Sequence, residues 1–442
     1  MGNVDVLPTL EPAGSKPELC FQRRDEIMPH RLTLRRRAAF STTGLRTLAI
    51  TAMCIALVTG SAMTGAASSS FASRSGLSSS TITTGDGYTM VEGERAGALF
   101  AALRPDDWNG NLVLLMHGGV PPYEPVEFPP FGHEPLWSDL IDRLVSEGYG
   151  VAYSSYRVNG FAVAEGMIDT RVAQAMFTAS FGKPDGTYLV GISMGTHIGQ
   201  KLIETSHARY DGFLAICSSL GGATLQMEYF INARILFDHY FPGVLPGNVW
   251  SETDLDFGNV VLPAVVNAIT AGPESFQRAV ELASVDQLEI PWTTPEELVS
   301  GIVLSLLVTG GGTGDLQEKA GGITIDNTAT YYTGSSDDDA LNAGVGRFEA
   351  DPNAQRYVQR FDPNGKLHGT PVLALHTTRD PTTQHEIHFS VYQSLLAETG
   401  NEHLFETRLV DRFGHCILST DEIVDSFEDL VSWAATGSAP RP

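Results

Sequence analysis

Residues 187–199, TYLVGISMGTHIG, place a serine between two glycines directly after an apolar run. Residues 187–192 are typical of a buried strand, and the residues from Met194 onward have the spacing of a helix. Glycines at 191 and 195 permit a tight turn between the two elements. In this context Gly-x-Ser-x-Gly predicts a nucleophile elbow, a sharp bend that holds the hydroxyl of Ser193 exposed at the edge of a sheet.

Stretches typical of strands and of helices alternate on both sides of this turn. The strand-like stretches are 88–93, 97–103, 111–119, 149–157, 187–193, 210–222, 370–377 and 403–410. The helical ones are 136–150, 166–182, 195–206, 385–399 and 421–436. Short apolar strands alternating with helices predict the α/β class, with a mostly parallel, doubly wound sheet covered on both faces.

The alternation stops between residues 223 and 369, where helical stretches are joined by glycine-rich segments. We interpret residues 223–369, called the cap segment below, as a helical lid inserted between two late strands. The predicted domains are then a leader (1–73), the first part of the core (74–222), the cap segment and the second part of the core (370–442). We expect the cap segment to fold over the sheet edge that carries Ser193 and to set substrate size rather than chemistry.

The first 73 residues have the layout of a secretory signal peptide. An arginine-rich stretch (31–46) precedes an apolar run (47–58), and small residues follow. The apolar run is shorter than the roughly 20 residues that span a bilayer, so no stable membrane span is expected after cleavage. Met28 is a candidate for the true start of the protein. The arginines at 35–37 leave export by the twin-arginine pathway open as an alternative to the Sec pathway. The sequence predicts a protein that is secreted or held on the exterior of the cell envelope.

The chain has 442 residues and a net charge of −24. The size allows one large domain with an insertion, or two domains. The acidic balance argues against nucleic acid and anionic membranes as partners.

A second glycine-rich turn accompanies the elbow. His117, Gly118 and Gly119 follow the predicted strand that ends at Met116. Glycines there let a backbone N–H group approach a substrate oxygen. We therefore predict that the N–H groups of Gly119 and Met194 form an oxyanion hole.

An elbow serine needs an acid and then a histidine further along the chain, each just after a strand. Among the 12 histidines, His415 lies in the loop after the last predicted strand and is the favoured base. His133 and several others are set aside because they do not follow late strands. Asp380, which follows the predicted strand 370–377 and precedes a proline, is the favoured acid. Asp411 and Glu386 remain as alternatives.

These stretches resemble the α/β-hydrolase superfamily, and within it a group of secreted bacterial hydrolases related to esterases and prolyl-oligopeptidase-type enzymes. The matching segments are DDWNGNLVLLMHGG, TYLVGISMGTHIG, LHTTRDPTTQHE and FGHCILSTDEIVDSFEDLVSW, between residues 106 and 433. The resemblance implies that the catalytic triad falls on Ser193, Asp380 and His415. Thr196 stands where members often have glycine, and TTQHE replaces a more usual valine-rich segment.

The predicted function is two-step acyl transfer on a small-molecule or polymeric ester, without a cofactor or a metal. An amidase or peptidase with the same triad, and a binding protein on a hydrolase scaffold, remain alternatives. Substrate contacts are predicted at Gly118, Tyr156 and Tyr123. The proline-rich loop 120–132, which contains Tyr123, is interpreted either as a binding rim or as a rigid surface loop.

The cysteines give the last prediction. Cys20 and Cys54 lie in the leader and are lost on export, which leaves Cys217 and Cys416 in an oxidising compartment. Both follow strands of the predicted parallel sheet, at the same edge. We predict a disulfide between them that restrains the His415 loop. Two separate buried thiols are the alternative.

Overall fold

The computed structural model describes residues 79–440, apart from residues 86, 131, 134, 206–209 and 252–254. The predicted leader, residues 1–73, lies outside the described residues. The signal peptide, its cleavage and the alternative start at Met28 therefore stay predictions. Within the described ranges, no helix combines the length and the apolar character needed to cross a membrane.

Nine strands in the described part of the chain form one sheet in the order β1-β2-β3-β5-β4-β6-β7-β8-β9. They are β1 (Ser79–Thr84), β2 (Tyr88–Arg95), β3 (Ala98–Pro105), β4 (Asn111–Met116), β5 (Gly150–Ser154), β6 (Gly186–Ile192), β7 (Gly212–Ile216), β8 (Val372–Arg379) and β9 (Phe405–Phe413). The pairs β1–β2, β2–β3 and β3–β5 are antiparallel. All other pairs in the sheet are parallel, which confirms the predicted mostly parallel sheet.

Twelve α-helices in the described part of the chain alternate with the strands or lie in the cap segment. They are α1 (Leu136–Ser146), α2 (Val163–Phe181), α3 (Met194–Thr205), α4 (Ala223–Tyr240), α5 (Leu262–Thr270), α6 (Pro273–Ser284), α7 (Pro295–Ser305), α8 (Gly311–Ala320), α9 (Asp338–Gly344), α10 (Pro352–Gln359), α11 (His385–Thr399) and α12 (Thr420–Thr436). A π-helical turn (Phe257–Val261) precedes α5, and a 3₁₀ turn (Glu402–Leu404) precedes β9.

Side chains of the central strands alternate between two apolar cores, one on each face of the sheet. On β4, Leu112 and Leu114 pack in the core that includes residues of α2, α3 and α11. Val113 and Leu115 pack in the core that includes residues of α1 and α12. Every residue of β6 and β7 is buried, as expected for inner parallel strands with helices on both faces. The doubly wound arrangement predicted from the sequence is thus confirmed.

The strand order changes direction at β4. The chain places β5 on one side of β4 and β6 on the other. Loops that leave the carboxyl ends of strands at such a switch point diverge and open a crevice, which is where open α/β sheets bind ligands. The loop after β4 begins at His117 and the turn after β6 contains Ser193. The fold therefore brings both glycine-rich motifs to the same crevice.

Helices α4–α10 lie between β7 and β8, where the cap segment was predicted. They share an apolar core of their own, in which Leu236, Val265 and Ile302 are fully buried. The cap segment contacts loops that leave the carboxyl edge of the sheet. The carboxylate of Asp315 accepts the N–H of Phe161 after β5 at 2.7 Å, and the cap segment also contacts the loop after β8. These contacts tie the cap segment to loops at that edge, and its role as a lid over Ser193 stays a prediction.

Candidate active site

Ser193 lies in the turn between β6 and α3 with a φ of 51°. A non-glycine residue in this left-handed region is strained, and such strain is typical of functional turns. Its N–H donates to the carbonyl of Ile216 in β7 at 3.0 Å. A Cβ at Gly191 would lie 2.6 Å from the carbonyl oxygen of Gly195, and a Cβ at Gly195 would collide with the backbone of Met116. Both glycines are therefore required by close packing around the bend.

A chain of two hydrogen bonds joins the serine, the histidine and the acid. Oγ of Ser193 lies 2.9 Å from Nε2 of His415, and Nδ1 of His415 lies 2.7 Å from Oδ2 of Asp380. A carboxylate can only accept, so Nδ1 carries the proton and Nε2 of the neutral ring accepts from the serine hydroxyl. The structure thus brings together the three residues that were predicted separately, from the loops after β6, β8 and β9.

The carboxylate of Asp380 is buried, with 2% of the residue exposed. Its Oδ1 accepts the N–H groups of Thr382 at 2.8 Å and Thr383 at 3.0 Å, while Oδ2 accepts from His415. Hydrogen bonds to a charged acceptor are stronger than neutral ones, and together they offset the loss of water around the carboxylate. Nε2 of His376 lies 3.8 Å from Oδ2. Burial lowers the pKa of His376 to about 4, so it is neutral at pH 7.

The alternative acids have other partners. The side chain of Asp411 is 90% exposed and accepts a hydrogen bond from the hydroxyl of Thr378 at 3.0 Å. The carboxylate of Glu386 lies 3.2 Å from Nδ1 of His385. In the described part of the chain, the hydrogen-bonded carboxylate partner of His415 is Asp380. The geometry therefore favours Asp380 over both alternatives.

The loop that carries His415 is fixed at its start. The N–H of Gly414 donates to the carbonyl of Arg379 at 2.9 Å, and the hydroxyl of Thr377 donates to the carbonyl of Gly414 at 2.7 Å. Both contacts tie this loop to β8, the strand that precedes Asp380. The histidine and the acid are therefore held by one local network.

A disulfide joins Cys217 and Cys416, with Cα atoms 5.2 Å apart and a sequence separation of 199. This confirms the predicted pair and excludes two separate thiols. Among the His, Cys, Asp and Glu side chains of the described residues, one group of three has its potential metal-ligand atoms within 4.8 Å of one another. It consists of Cys217, His415 and Cys416. Because metals bind the thiolate form of cysteine, the disulfide leaves neither sulfur as a ligand of that kind.

The predicted oxyanion loop runs beside the serine. A Cβ at Gly118 would lie 3.1 Å from Cβ of Ser193, whereas a Cβ at Gly119 would meet no atom within 4 Å. The chain therefore passes close to Ser193 at Gly118 and borders open space at Gly119. Met194 begins helix α3, whose first N–H groups carry partial positive charge. The roles of Met194 and Gly119 as oxyanion donors stay predictions.

His133 also lies at this site, although its position in the sequence did not predict that. Its Cε1 would lie 2.9 Å from a Cβ at Gly118, on the same side as Ser193. Burial lowers the pKa of His133 to about 4, a hydrogen bond to the Gly119 backbone opposes that shift, and His415 adds to it. The ring thus lies against Gly118 and Gly119, near enough to His415 for their charges to interact. His133 lies in a loop before α1 and does not directly follow a strand, so nothing in the sequence pattern indicated that it belongs to the site.

Two predicted substrate residues have other contacts in this structure. Tyr156 is 1% exposed, stacks on the ring of His117 at 3.9 Å and donates its hydroxyl to the His117 carbonyl at 3.1 Å. It thus supports the start of the oxyanion loop. Tyr123 is 47% exposed, and its hydroxyl accepts the N–H of Phe257 from the cap segment at 3.1 Å. Substrate contact by either residue stays a prediction.

The strand–turn–helix at Ser193 after β6, with Asp380 after β8 and His415 after β9, matches the α/β-hydrolase fold. The strand order agrees with this assignment, with β1 as an added antiparallel strand at the edge.

Comparison with solved structures returns proteins described as esterases and lipases. Feruloyl esterase B from Aspergillus oryzae is 15% identical, with 82% of each chain covered and a TM-score of 0.43. Lipase A from Candida antarctica is 11% identical, with 85% of this chain and 86% of that chain covered and a TM-score of 0.43. A highly thermostable carboxyl esterase from Bacillus coagulans is 14% identical, with 79% of this chain and 98% of that chain covered and a TM-score of 0.38. No family model and no curated protein matches the sequence.

Proposed function

We propose that this protein is a secreted serine hydrolase that cleaves carboxylic esters through an acyl-enzyme. The observation that carries the proposal is the continuous hydrogen-bonded chain from Asp380 through His415 to Ser193, with distances of 2.7 and 2.9 Å. The serine at its end lies in a strained elbow at the crevice of the sheet. This combination of nucleophile, base and orienting acid is what acyl transfer requires.

In the first half of the proposed reaction, Nε2 of His415 takes the proton of Ser193 as Oγ bonds to the ester carbonyl carbon. The carbonyl oxygen becomes an oxyanion, which the N–H groups of Met194 and Gly119 stabilise. The bond from the carbonyl carbon to the alcohol oxygen then breaks, and the proton on His415 passes to the leaving alcohol. Asp380 fixes the tautomer of His415 and stabilises the imidazolium that forms.

In the second half, water replaces the alcohol. His415 takes a proton from water as its oxygen bonds to the acyl carbon. The bond to Oγ of Ser193 then breaks, Ser193 recovers the proton from His415, and the carboxylic acid leaves. Each half uses the same two hydrogen bonds, so a single arrangement of Ser193, His415 and Asp380 serves both steps.

We also propose export from the cell. The basic, apolar and small-residue order of residues 31–73 is typical of a cleaved signal. The disulfide between Cys217 and Cys416 supports the same conclusion, because structural disulfides persist mainly outside the reducing cytosol. A relation to secreted bacterial hydrolases is part of this proposal.

The test is a substrate panel with the purified protein and its Ser193→Ala variant. Aryl esters of increasing acyl length are compared with aminoacyl anilides under the same conditions. The proposal expects ester turnover in the wild type and none above background in the variant. Anilide cleavage with little ester cleavage would favour the amidase or peptidase alternative. Ester turnover that persists in Ser193→Ala would overturn the assigned nucleophile.

A further inference from the structure

We propose that Tyr229 and Gln226, two side chains of helix α4 in the cap segment, are positioning residues for the acid Asp380. The inference rests on the proposed function, because it assigns these residues to the triad of that reaction. It also changes what the cap segment does. The segment would fix the geometry of the triad in addition to covering the site.

The argument begins with the two peptide units that bind the acid. The N–H groups of Thr382 and Thr383 both donate to Oδ1 of Asp380, at 2.8 and 3.0 Å. The first N–H belongs to the same peptide unit as the carbonyl of Pro381, and the second to the same unit as the carbonyl of Thr382. Each peptide unit therefore presents its N–H to the acid and its oxygen to the opposite side.

Helix α4 occupies that opposite side. The hydroxyl of Tyr229 donates to the carbonyl of Pro381 at 2.5 Å, and Nε2 of Gln226 donates to the carbonyl of Thr382 at 2.9 Å. The two residues are three apart in the helix and so share one face. Both peptide units that hold Asp380 are thus held in turn, one by each side chain.

These bonds fix the orientation of each peptide plane and also polarise it. A donor on a carbonyl strengthens the N–H of the same unit as a donor, since hydrogen bonds in a chain reinforce one another at low dielectric. Gln226 and Tyr229 are 4% and 8% exposed, so water does not readily replace them. Burial, with Asp380 as a second cause, raises the pKa of Tyr229, which keeps its hydroxyl protonated and able to donate.

The same loop is held at its end by another part of the cap segment. Nε2 of Gln384 donates to the carbonyl of Leu288 and, at 3.2 Å, to that of Glu289. Arg379, just before the acid, pairs with Glu297 of α7 at 2.7 Å. These contacts secure the loop as a whole, whereas Tyr229 and Gln226 act on the peptide units that bind the carboxylate. The two α4 residues are therefore the ones expected to affect the acid directly.

The experiment compares three variants of the full chain. Tyr229→Phe and Gln226→Met each remove one donor and keep most of the side-chain volume. Tyr332→Phe is the matched control. Its buried hydroxyl donates to Asn232 of α4 at 2.7 Å and accepts from Asn327 at 3.0 Å, so the variant removes a buried hydroxyl whose described partners lie in the cap segment and not in the acid loop. For each variant, kcat and KM are measured on an aryl ester, thermal unfolding confirms the fold, and proton NMR follows the low-field resonance of the His415 Nδ1–H.

We expect kcat to fall about 10-fold in Tyr229→Phe and in Gln226→Met with little change in KM, because small displacements of a catalytic group are costly. The resonance should shift in both variants and stay in place in Tyr332→Phe. Unchanged kcat and an unmoved resonance in both test variants would overturn the inference. So would an equal loss in Tyr332→Phe. If the wild type hydrolyses nothing, the proposed function fails, and the resonance alone then decides whether α4 positions Asp380.

Discussion

Cys416, which directly follows the proposed catalytic base His415, is bonded to Cys217 at the end of β7. β7 is also the strand whose Ile216 carbonyl accepts the N–H of Ser193. The disulfide therefore links the loop of the base to the strand that supports the nucleophile. A covalent link at this point restrains the separation of Ser193 and His415, the two groups proposed to exchange a proton.

Removing this link should affect both stability and turnover. The double variant Cys217→Ala/Cys416→Ala is expected to lose about 2–4 kcal/mol of unfolding free energy, because the bridge closes a long loop. The effect on kinetics should be mainly a lower kcat, with a smaller change in KM, because the His415 loop gains freedom. Denaturant unfolding and steady-state kinetics test this. Wild-type stability and kcat in the double variant would show that the backbone contacts of Gly414 hold the loop unaided.

The choice of acid is tested by two matched substitutions. Asp380→Asn should lower kcat on the order of 10⁴-fold, because an amide can favour the wrong tautomer of His415. Asp411→Asn should remain close to wild type, since that side chain is 90% exposed. Kinetics on one aryl ester suffice. A fully active Asp380→Asn beside an inactive Asp411→Asn would show that the acid has been misassigned.

His133 offers a test of the oxyanion loop. The variant His133→Phe keeps a ring beside Gly118 but removes the hydrogen bond to the Gly119 backbone, so kcat should fall about 10-fold as that backbone loses its orientation. His133→Gln, which keeps an N–H donor, should retain more activity than His133→Phe. The ratio of the two kcat values is the measurement. Equal kcat in both variants and the wild type would remove His133 from the site.

Buried histidines should make the protein less stable in acid. Burial lowers the pKa of His117 to about 3 and those of His133, His197 and His376 to about 4, from an ordinary 6.5. Between pH 6.5 and 4 the unfolded chain therefore binds more protons, and the free energy of unfolding falls as the pH falls. Asp362 opposes this below about pH 6, because burial raises its pKa to about 6.

One substitution isolates a single histidine of this set. Nε2 of His197 lies 2.7 Å from the hydroxyl of Ser219, and His197→Gln keeps a polar partner without a titrating ring. The slope of unfolding free energy against pH should become shallower by about 1 kcal/mol per pH unit between pH 6 and 4.5, because the two states differ there by slightly less than one proton on His197. Urea unfolding across that range measures it. An unchanged slope would mean that His197 does not titrate between the two states.

The fold was largely predictable because its signals are local. The apolar runs of β4, β6 and β7 and the turn at Ser193 are each contained in a few consecutive residues. β1 was missed because its sequence, SSTITT, is polar and lacks the apolar alternation of a half-buried strand. It forms the outer strand of the sheet, where less burial is required.

The site was predictable only where chain order constrains it. Ser193, Asp380 and His415 each follow a strand, so the parallel sheet brings them to one edge. His133 lies in a loop, and Tyr229 donates to a carbonyl 152 residues away in sequence. Contacts of this kind depend on how the cap segment packs, and neither composition nor spacing carries that information.

The central claim, that Ser193 is an activated nucleophile, is tested most directly by covalent labelling. The folded protein is treated with a fluorophosphonate, and the adduct is located by peptide mass spectrometry. We predict one adduct per chain, on Ser193, which is lost on unfolding and in Ser193→Ala, and which forms much more slowly in His415→Ala. An unlabelled folded protein, or an adduct on another residue that persists in Ser193→Ala, would contradict the account.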